Sequence, residues 1–262
     1  MLSFPQLASG AVAQYPVSKT STQRAVVSTL PDGSTIKYAD PGASLVEWQL
    51  QFQSLADSEI AVLQQFFAAC EGQLNAFTFA DPVGNLLAWS EDLTQPVWQG
   101  STLLQMVGGV SDPNGGTAAT QVTNPTGADL TILQTVNAPG WYWYCFSTYV
   151  QSQAGVSVTL QRQASGVLNA TAYPIGPTWQ RIQLSGQTQT SADSVTVGIT
   201  IPAGQSVDLF GFQLEPQPAA SPYKSSYSAG GVYTNAHFST DTLAITTSAP
   251  NSNQCTLTIT AH

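Results

Sequence analysis

The fold of the first part of the chain is decided by Leu55–Pro82, LADSEIAVLQQFFAACEGQLNAFTFADP. Asp57 and Glu59 occupy a first helical turn, where the helix dipole favours negative charge. Gly72 is placed to stop the helix, and a short alternating aromatic strand follows it. The apolar residues at helical spacing form one face, made of Ile60, Leu63, Phe66, Phe67 and Cys70. The stretch therefore predicts one amphipathic helix followed by a buried strand.

The residues before this helix predict β structure. Arg24–Leu30 and Ser34–Tyr38 flank the turn Pro31-Asp32-Gly33, in which proline fixes φ and glycine accepts a positive φ. These two runs predict a hairpin. Leu45–Phe52 alternates between polar and apolar residues and predicts a half-buried strand with Trp48 on its inner side.

A long segment with no helical period follows, from Leu86 to Ser226. Short alternating runs are separated there by Gly, Pro, Asn and Ser, a pattern typical of an antiparallel sandwich or jelly roll. The runs are Gln121–Thr123, Asp129–Val136, Trp141–Val150, Ser157–Gln163, Gln180–Ser185, Ser194–Ile201 and Ser206–Leu214.

The C-terminal residues return to strand patterns at Val232–Phe238, Asp241–Thr247 and Gln254–Ala261. So short a segment cannot bury a core of its own, so it must complete the first domain. We therefore predict a mostly β protein with two domains. Residues 1–85 and 227–262 form a small β-barrel or sandwich with one helix, and residues 86–226 form an inserted jelly roll.

Composition limits the classes of function. Of the 262 residues only 8% are charged, 42% are hydrophobic, and the net charge is −9. The six basic residues are scattered and form no basic cluster that could bind phosphates. Nucleic-acid binding is therefore excluded as a main function. The sequence predicts neither a signal peptide nor a membrane span. Three distant cysteines predict buried free thiols rather than disulfides.

One group of motifs resembles a known family. Ser28–Ser34 (STLPDGS), Lys37-Tyr38, Trp48 and the helix leading to Asp81-Pro82 are similar to the distal tail proteins of long-tailed bacteriophages. The resemblance implies a tail-tube-like domain that forms a homohexameric ring. It also implies contacts with a tail tube protein and a tip hub protein. The expected location is the phage tail tip of the virion, after synthesis in the host cytoplasm.

A second series resembles the carbohydrate-binding-module-like jelly rolls of phage tail and adhesin proteins. It is made of Leu86–Leu93 (LLAWSEDL) with Trp98, Asp112–Ala118, Tyr144–Val150, Thr178–Arg181, Phe210–Glu215 and Ser221–Tyr223. The resemblance implies glycan binding on a sheet face or at loop tips, and often a structural calcium ion. The chain departs from the family at Trp89, where Asn or Tyr is usual.

Aromatic residues give the strongest indication of a glycan site. In a strand, Trp141, Trp143 and Tyr149 share one face, whereas Tyr144 and Val150 share the other. The second face is the more apolar and is expected to be core. This leaves Trp141, Trp143 and Tyr149 to stack on a host surface polysaccharide. Packing of the two tryptophans under a loop or a neighbouring domain explains the same pattern.

The acidic residues have two interpretations. Glu91, Asp92, Asp112 and Asp208 could supply oxygen ligands to a structural calcium ion, or they could serve ordinary turn chemistry. No other cofactor is indicated. Catalytic motifs are not found, and His237 and His262 are expected to be polar residues near the C-terminus. We therefore expect a protein that is not an enzyme.

Three hypotheses follow from these observations. The first is a structural virion protein, a distal tail ring that joins the tail tube to the baseplate hub and carries an outward jelly roll for host attachment. The second is a dedicated glycan-binding adhesin module. The third, a surface-glycan hydrolase, requires a pair of carboxylates in a cleft.

Overall fold

A computed structural model describes residues 2–189 and 194–262. The chain divides into two compact units. Unit 1 comprises Met1–Phe79 and Tyr233–His262, and unit 2 comprises Ala80–Val232. The division predicted from the sequence, at residues 85/86 and 226/227, lies a few residues inside these limits. Independent folding of the two domains stays a prediction.

Unit 1 is built on one antiparallel sheet. Its strands are β1 (Val17–Thr29), β2 (Thr35–Leu55), β3 (Phe77–Ala80), β14 (Val232–Phe238), β15 (Ile245–Ala249) and β16 (Ser252–Ala261). The order is β1-β2-β16-β14-β3, and β15 pairs with β16. The predicted hairpin is confirmed by the pairing of Thr29 with Thr35 and by φ +84° at Gly33. The hairpin strand and the strand predicted at Leu45–Phe52 are continuous, however, within β2.

The helix α1 spans Asp57–Ala69 and begins where the sequence predicts. The carboxylate of Glu59 accepts a hydrogen bond from the Ala56 N–H at 2.9 Å, which satisfies one donor of the first turn. Asn253 of β16 donates to Asp57 at 2.8 Å and so ties the helix start to the C-terminal strand. The turn that ends the helix differs from the prediction, because both Glu71 (φ +52°) and Gly72 (φ +64°) adopt left-handed geometry.

The core of unit 1 is aromatic. Trp48 is fully buried and packs edge-on against Phe79, with ring centroids 5.0 Å apart. Phe4 contacts Phe66 and Phe79 in the same way, at 5.6 and 5.5 Å. Edge-on aromatic pairs add about 1 kcal/mol each beyond the area they bury. The C-terminal strand completes this core, since Ile259 of β16 pairs with Trp48 and is fully buried.

Unit 2 is a sandwich of two five-stranded antiparallel sheets, which confirms the predicted mostly β fold class. The first sheet has the order β10-β9-β12-β7-β4 and the second β11-β8-β13-β6-β5. The strands are β4 (Gln99–Gly100), β5 (Gln105–Val110), β6 (Ala119–Thr123), β7 (Leu130–Val136), β8 (Trp143–Gln151), β9 (Val156–Ala164), β10 (Val167–Ile175), β11 (Gln180–Gln187), β12 (Val195–Ile201) and β13 (Ser206–Glu215).

The two sheets of unit 2 bury alternate residues against each other. Tyr144, Phe146 and Val150 of β8 are fully buried, as predicted for the even-numbered face of that strand. Their counterparts in the first sheet include Leu160 and Ile199, a buried cross-strand pair. Burial of apolar surface contributes roughly 25 cal/mol per Å², so this layer stabilises the sandwich.

The first and last segments of unit 2 are joined by backbone hydrogen bonds. The Asp81 N–H donates to Gly231 O at 2.8 Å, and the Gly231 N–H donates to Asn85 O at 2.8 Å. The Trp89 N–H donates to Tyr227 O at 2.7 Å. The buried Asn85 side chain adds bonds to Phe212 O and Lys224 O. The unit therefore begins and ends at the same place.

Cysteine chemistry follows the sequence-based prediction. Cys70, Cys145 and Cys255 are buried free thiols. Burial raises the pKa of Cys70 and Cys255 to about 11 and that of Cys145 to about 12, so all three stay protonated near neutral pH. Over the described residues, no helix combines the length and the apolar character needed to span a membrane.

Candidate functional site

The predicted aromatic surface differs from the one that the structure forms. Trp141 precedes β8, in a turn with φ +62°, and its side chain is 59% exposed. Trp143 and Tyr149 lie on β8 and are half-buried. Strand alternation therefore does not extend to Trp141, and the expectation that it belongs to the strand was wrong.

The outer face of β8 is largely covered. Cys145 and Ser147, which lie between Trp143 and Tyr149, are fully buried. The Arg181 guanidinium lies 5.3 Å from the centre of the Tyr149 ring and donates to Ser147 Oγ at 2.9 Å. The same guanidinium also donates to Ser221 O, in the segment that follows β13. Trp141, Trp143 and Tyr149 therefore do not form one open surface, and glycan contact at these residues stays a prediction.

Three of the four predicted calcium ligands serve local hydrogen bonds. Asp92 accepts from the backbone and hydroxyl of Thr94, at 3.0 and 2.6 Å, and from Gln95 at 2.7 Å. These bonds lower the pKa of its carboxyl, with Thr94 contributing most. Asp208 accepts from the side chains of Gln121 and Gln151, at 3.1 and 2.9 Å.

Asp112 organises the loop before β6. Its carboxylate accepts from the backbone N–H groups of Asn114, Gly116 and Ala118, at 2.8, 3.1 and 3.0 Å. The Ala118 bond is the main cause of a lowered Asp112 pKa. This is turn chemistry, the second of the two interpretations that the sequence allowed.

The four acidic residues do not come together as a ligand set. Within residues 2–189 and 194–262, no three acidic, histidine or cysteine side chains gather around a point that could hold a metal ion. Glu91, the remaining candidate, accepts from the Tyr223 hydroxyl at 3.0 Å. A structural calcium ion therefore stays a prediction that the side-chain positions do not favour.

Glu91 and Asp92 instead line a surface cleft of about 340 Å³, here called the Trp89 cleft. This volume lies within the range of about 300–1,000 Å³ usual for small-molecule sites. Trp89 is half-buried, whereas Tyr227 is 71% exposed. The cleft is lined by Trp89, Glu91, Asp92, Thr94, Gly108, Gly109, Thr117, Ala118, Ala119, Thr120, Ser226 and Tyr227.

The backbone holds Trp89 in an uncommon conformation, with φ +50°. Its N–H donates to Tyr227 O at 2.7 Å, and its carbonyl accepts from the indole N–H of the buried Trp98 at 2.9 Å. The next residue, Ser90, is fully buried and accepts from the Ser226 N–H at 2.8 Å. Both aromatic residues of the cleft are thus fixed by the same group of bonds.

The chemistry of the Trp89 cleft is aromatic and acidic. Trp89 and Tyr227 offer apolar ring faces, while Thr94, Thr117 and Glu91 offer groups that can accept hydrogen bonds. One Glu91 oxygen is bonded to Tyr223, and among the described residues no donor reaches the other. Lysine and arginine are not part of the lining. Such a cleft suits a neutral, hydroxyl-rich ring and repels an anionic one.

Sequence reasoning missed the pairing of Trp89 with Tyr227. Trp89 stood out in the sequence only as a departure from the resembled family, and Tyr227 fell at the start of the segment 227–262, which was assigned to the first domain. The two are far apart in the chain, and only the closure of unit 2 on itself brings them together. The one available signal was the aromatic character of a segment otherwise rich in serine and glycine, Ser221–Gly231.

A scan against protein-family models found no match to this chain. A search of curated proteins likewise returned none.

Several solved structures are similar to part of the chain. One is the carbohydrate-binding module TmCBM61 in complex with β-1,4-galactotriose, with 15% identity and a TM-score of 0.43 over 51% of this chain and 99% of that one. Another is the CBM22-1 xylan-binding domain from Paenibacillus barcinonensis Xyn10C, with 18% identity and a TM-score of 0.43 over 54% of this chain and 100% of that one.

A third is the enzymatically active domain of tailspike protein 4 from bacteriophage CBA120, with 12% identity and a TM-score of 0.39 over 52% of this chain and 22% of that one. With TM-scores below 0.5, these matches describe a resemblance in strand architecture and assign no function.

Proposed function

We propose that unit 2 is a glycan-binding module and that the Trp89 cleft is its binding site. The observation that carries this proposal is the pair Trp89 and Tyr227, which lines a cleft of suitable volume beside a carboxylate oxygen with no donor among the described residues. Sugar rings present C–H groups that pack on aromatic faces and hydroxyls that donate to carboxylates. The ligand class is a neutral saccharide of a host surface.

We propose binding without cleavage. A glycosidase needs two carboxyl groups, one of which must be protonated to act as an acid. In the Trp89 cleft, both oxygens of Asp92 accept hydrogen bonds that lower its pKa, so it is ill suited to donate a proton. Glu91 is left without a catalytic partner. His237, on β14 of unit 1, binds Gln73 O through Nδ1 at 3.0 Å.

The glycan proposal is tested with Tyr227→Ala and Trp89→Ala. A screen of the wild-type protein against neutral, amino and acidic saccharides selects the tightest neutral ligand for calorimetry. Tyr227 is exposed, so its loss should leave the melting temperature unchanged and weaken binding at least about tenfold.

Trp141→Ala is the matched control for these variants, since Trp141 is an exposed aromatic residue of the same unit that lies outside the cleft. Failure of the wild-type protein to bind any saccharide would refute the proposal. An equal loss of affinity in Trp141→Ala would instead place the site at the aromatic surface predicted from the sequence.

A second function, assembly into a phage tail-tip ring, is favoured by the hairpin of β1 and β2. Val26 and Val27 are adjacent residues, which point to opposite faces of the strand, and they are 45% and 53% exposed. Tyr38, which pairs with Val26, is 52% exposed. An isolated two-stranded ribbon is marginally stable in water, so apolar residues on both its faces favour burial against another subunit.

We therefore propose that unit 1 forms a homo-oligomer, a hexamer in a distal tail ring, with the tail tube and hub proteins as neighbours. The measurement is electron microscopy of virions carrying the tagged chain, together with mass photometry of the purified protein. Val26→Ser with Tyr38→Ser should lower the oligomer fraction, and Lys19→Ser on the same strand is the control. A virion location away from the tail tip would contradict the ring.

The two-domain organisation predicted from the sequence is testable in the same material. Replacement of residues 86–226 by a short linker should leave a soluble β-rich domain with a cooperative thermal transition. An unfolded circular dichroism spectrum of this deletion variant, together with an unfolded isolated 86–226 segment, would contradict the insertion.

A further inference from the structure

Arg162 is the one basic residue that alternates with the core residues of β9. Val158 and Leu160 precede it on the inner face of this strand, and Ala164 follows it. Arg162 itself is only 3% exposed. A charged side chain on a core face is costly to bury unless its charge and its donors are satisfied.

The hydrogen bonds of Arg162 leave part of its guanidinium unused. Nη1 donates to Tyr144 O at 3.2 Å and to Gly186 O. Both acceptors are neutral carbonyls. Among the described residues, ion pairs join Arg24 to Asp40 and Lys224 to Glu215, and none reaches Arg162. Nε and Nη2, with three N–H donors between them, have no partner within the same residues.

Arg162 lines a second, smaller cleft of about 130 Å³, here called the Arg162 cleft. It is lined by Arg162, Ala164, Val167, Asn169, Gln187, Thr188 and Gln189. Asn169 of β10 lies directly opposite Arg162 in the strand register. Amide groups, one hydroxyl and a guanidinium therefore face a space below the usual volume of a complete ligand site, about 300 Å³.

We propose that the Arg162 cleft binds one oxyanion group, a carboxylate or a phosphate, of a small ligand. A planar guanidinium binds such groups through two parallel N–H bonds, and Nε and Nη2 are the pair available here. A bound anion both gives Nε and Nη2 a partner and neutralises the charge of the buried Arg162 side chain. The remainder of the ligand lies outside the cleft, because the cleft accommodates a group rather than a whole molecule.

The neighbourhood of the cleft indicates where that remainder lies. Gln187, which lines the Arg162 cleft, donates through its side-chain amide to Trp141 O at 2.9 Å. Trp141, whose indole is exposed, is thus hydrogen-bonded through its backbone carbonyl to a residue that lines the cleft. An acidic sugar held by its carboxylate would extend toward this ring. The inference is independent of the Trp89 cleft, whose lining carries the opposite charge.

The test is a titration of the full chain followed by the side-chain Nε–Hε NMR signals of its arginines. The sequence has three arginines, Arg24, Arg162 and Arg181, so the Arg162 signal can be assigned by elimination with the variants Arg24→Lys and Arg181→Lys. Sodium glucuronate and inorganic phosphate are the probes, with glucose and sodium chloride as controls at matched ionic strength.

A saturable shift of the Arg162 signal with glucuronate or phosphate supports the proposal, and the tighter probe identifies the source of the oxyanion. No shift with either probe overturns it. An equal shift with glucose also overturns it, because a neutral sugar has no charge for the guanidinium to recognise.

A second experiment places a negative charge opposite Arg162. Asn169→Asp introduces a carboxylate that competes with the ligand for the guanidinium, and it should weaken anion binding at least about tenfold. Ala170→Asp is the matched control. It changes the net charge equally on the same exposed strand but on the other face of the sheet.

Thermal melts of both variants establish that they are folded. Equal losses of affinity in Asn169→Asp and Ala170→Asp would overturn the assignment to this cleft. If Asn169→Asp does not fold, the wild-type titration decides alone.

Discussion

The Trp89 cleft and the Arg162 cleft lie on the same β-sandwich but are built in opposite ways. The Trp89 cleft consists largely of loops and of the first and last segments of unit 2, and its charged residues, Glu91 and Asp92, are negative. In the Arg162 cleft, Arg162 and Ala164 come from the inner face of β9, exposed residues of β10 and β11 also line the cleft, and the buried charge is positive. The acidic residue Glu91 and the aromatic Tyr227 of the first cleft lie outside the core, whereas Arg162 is buried among core residues. The two clefts therefore differ in whether their charged residue also supports the fold.

The largest expected effect is on stability, from Arg162→Met. The buried carbonyl of Tyr144 and the partly buried carbonyl of Gly186 each lose the hydrogen bond from Arg162, which should lower the free energy of unfolding by about 3 kcal/mol. Urea denaturation monitored by tryptophan fluorescence measures the change. Arg24→Met, at an exposed ion pair with Asp40, is the control and should cost less than about 1 kcal/mol. Equal effects would mean that Arg162 does not support the fold.

A smaller effect is expected for Asp112→Asn, in the loop that forms one wall of the Trp89 cleft. The asparagine amide cannot accept from all three backbone N–H groups that the carboxylate binds. Stability should fall by about 1–3 kcal/mol, and neutral-saccharide affinity should fall with it because Thr117 and Ala118 lose their support. Asp129→Asn removes the charge from a carboxylate that accepts from the Ala203 N–H and should cost less. No loss in Asp112→Asn would contradict the role given to this loop.

The same carboxylate predicts a pH dependence. The pKa of Asp112 is lowered from its ordinary value of 3.8, chiefly by the Ala118 N–H. A lowered folded-state pKa contributes stability that is complete above the ordinary pKa and is lost as the pH falls through the folded-state value. The unfolding free energy should therefore decrease below about pH 4, and less steeply in Asp112→Asn. Parallel curves for the two proteins would contradict this prediction.

The smallest effect is expected for Glu91→Gln. The amide still accepts hydrogen bonds from sugar hydroxyls, so affinity for a neutral saccharide should change less than about threefold. Affinity for the matching uronic acid should rise, because one of the two carboxylates that line the cleft, Glu91 and Asp92, has lost its repulsive charge. Calorimetry with the two sugars measures the difference, and Glu71→Gln in unit 1 is the control. An unchanged preference would mean that the charge of this cleft does not select its ligand.

The sequence predicted those elements whose pattern is local. The helix at Asp57, the hairpin turn at Gly33 and the strand Val232–Phe238 have periodicity or turn residues that act over a few positions. Three strands, the two-residue β4 and the longer β5 and β10, were missed because they lack such a local pattern. β5 contains Gly108-Gly109, and β10 contains Asn169 and Pro174; these residues disfavour strands by themselves and are held there by pairing with neighbours.

The candidate sites could not be predicted in this way. Trp141 was assigned to β8 by alternation, and nothing in the letters WYWY indicates that the first residue has a positive φ. The Trp89–Tyr227 pair depends on hydrogen bonds between the two ends of unit 2, and Arg162 depends on carbonyls of β8 and β11. Contacts over such separations leave no periodic trace in a single sequence.

The joined ends of unit 2 have a consequence for how the protein can change over evolutionary time. Asp81, Asn85 and Gly231 are linked by backbone hydrogen bonds. The first and last segments of unit 2 therefore lie side by side, so a genetic exchange at these two points replaces the whole unit. Recombination at these two points would join unit 1 to a different domain. The sheet, the helix and the aromatic core of unit 1 would keep their sequence. Sequence changes in unit 2 can therefore accumulate while the sequence of unit 1 stays the same.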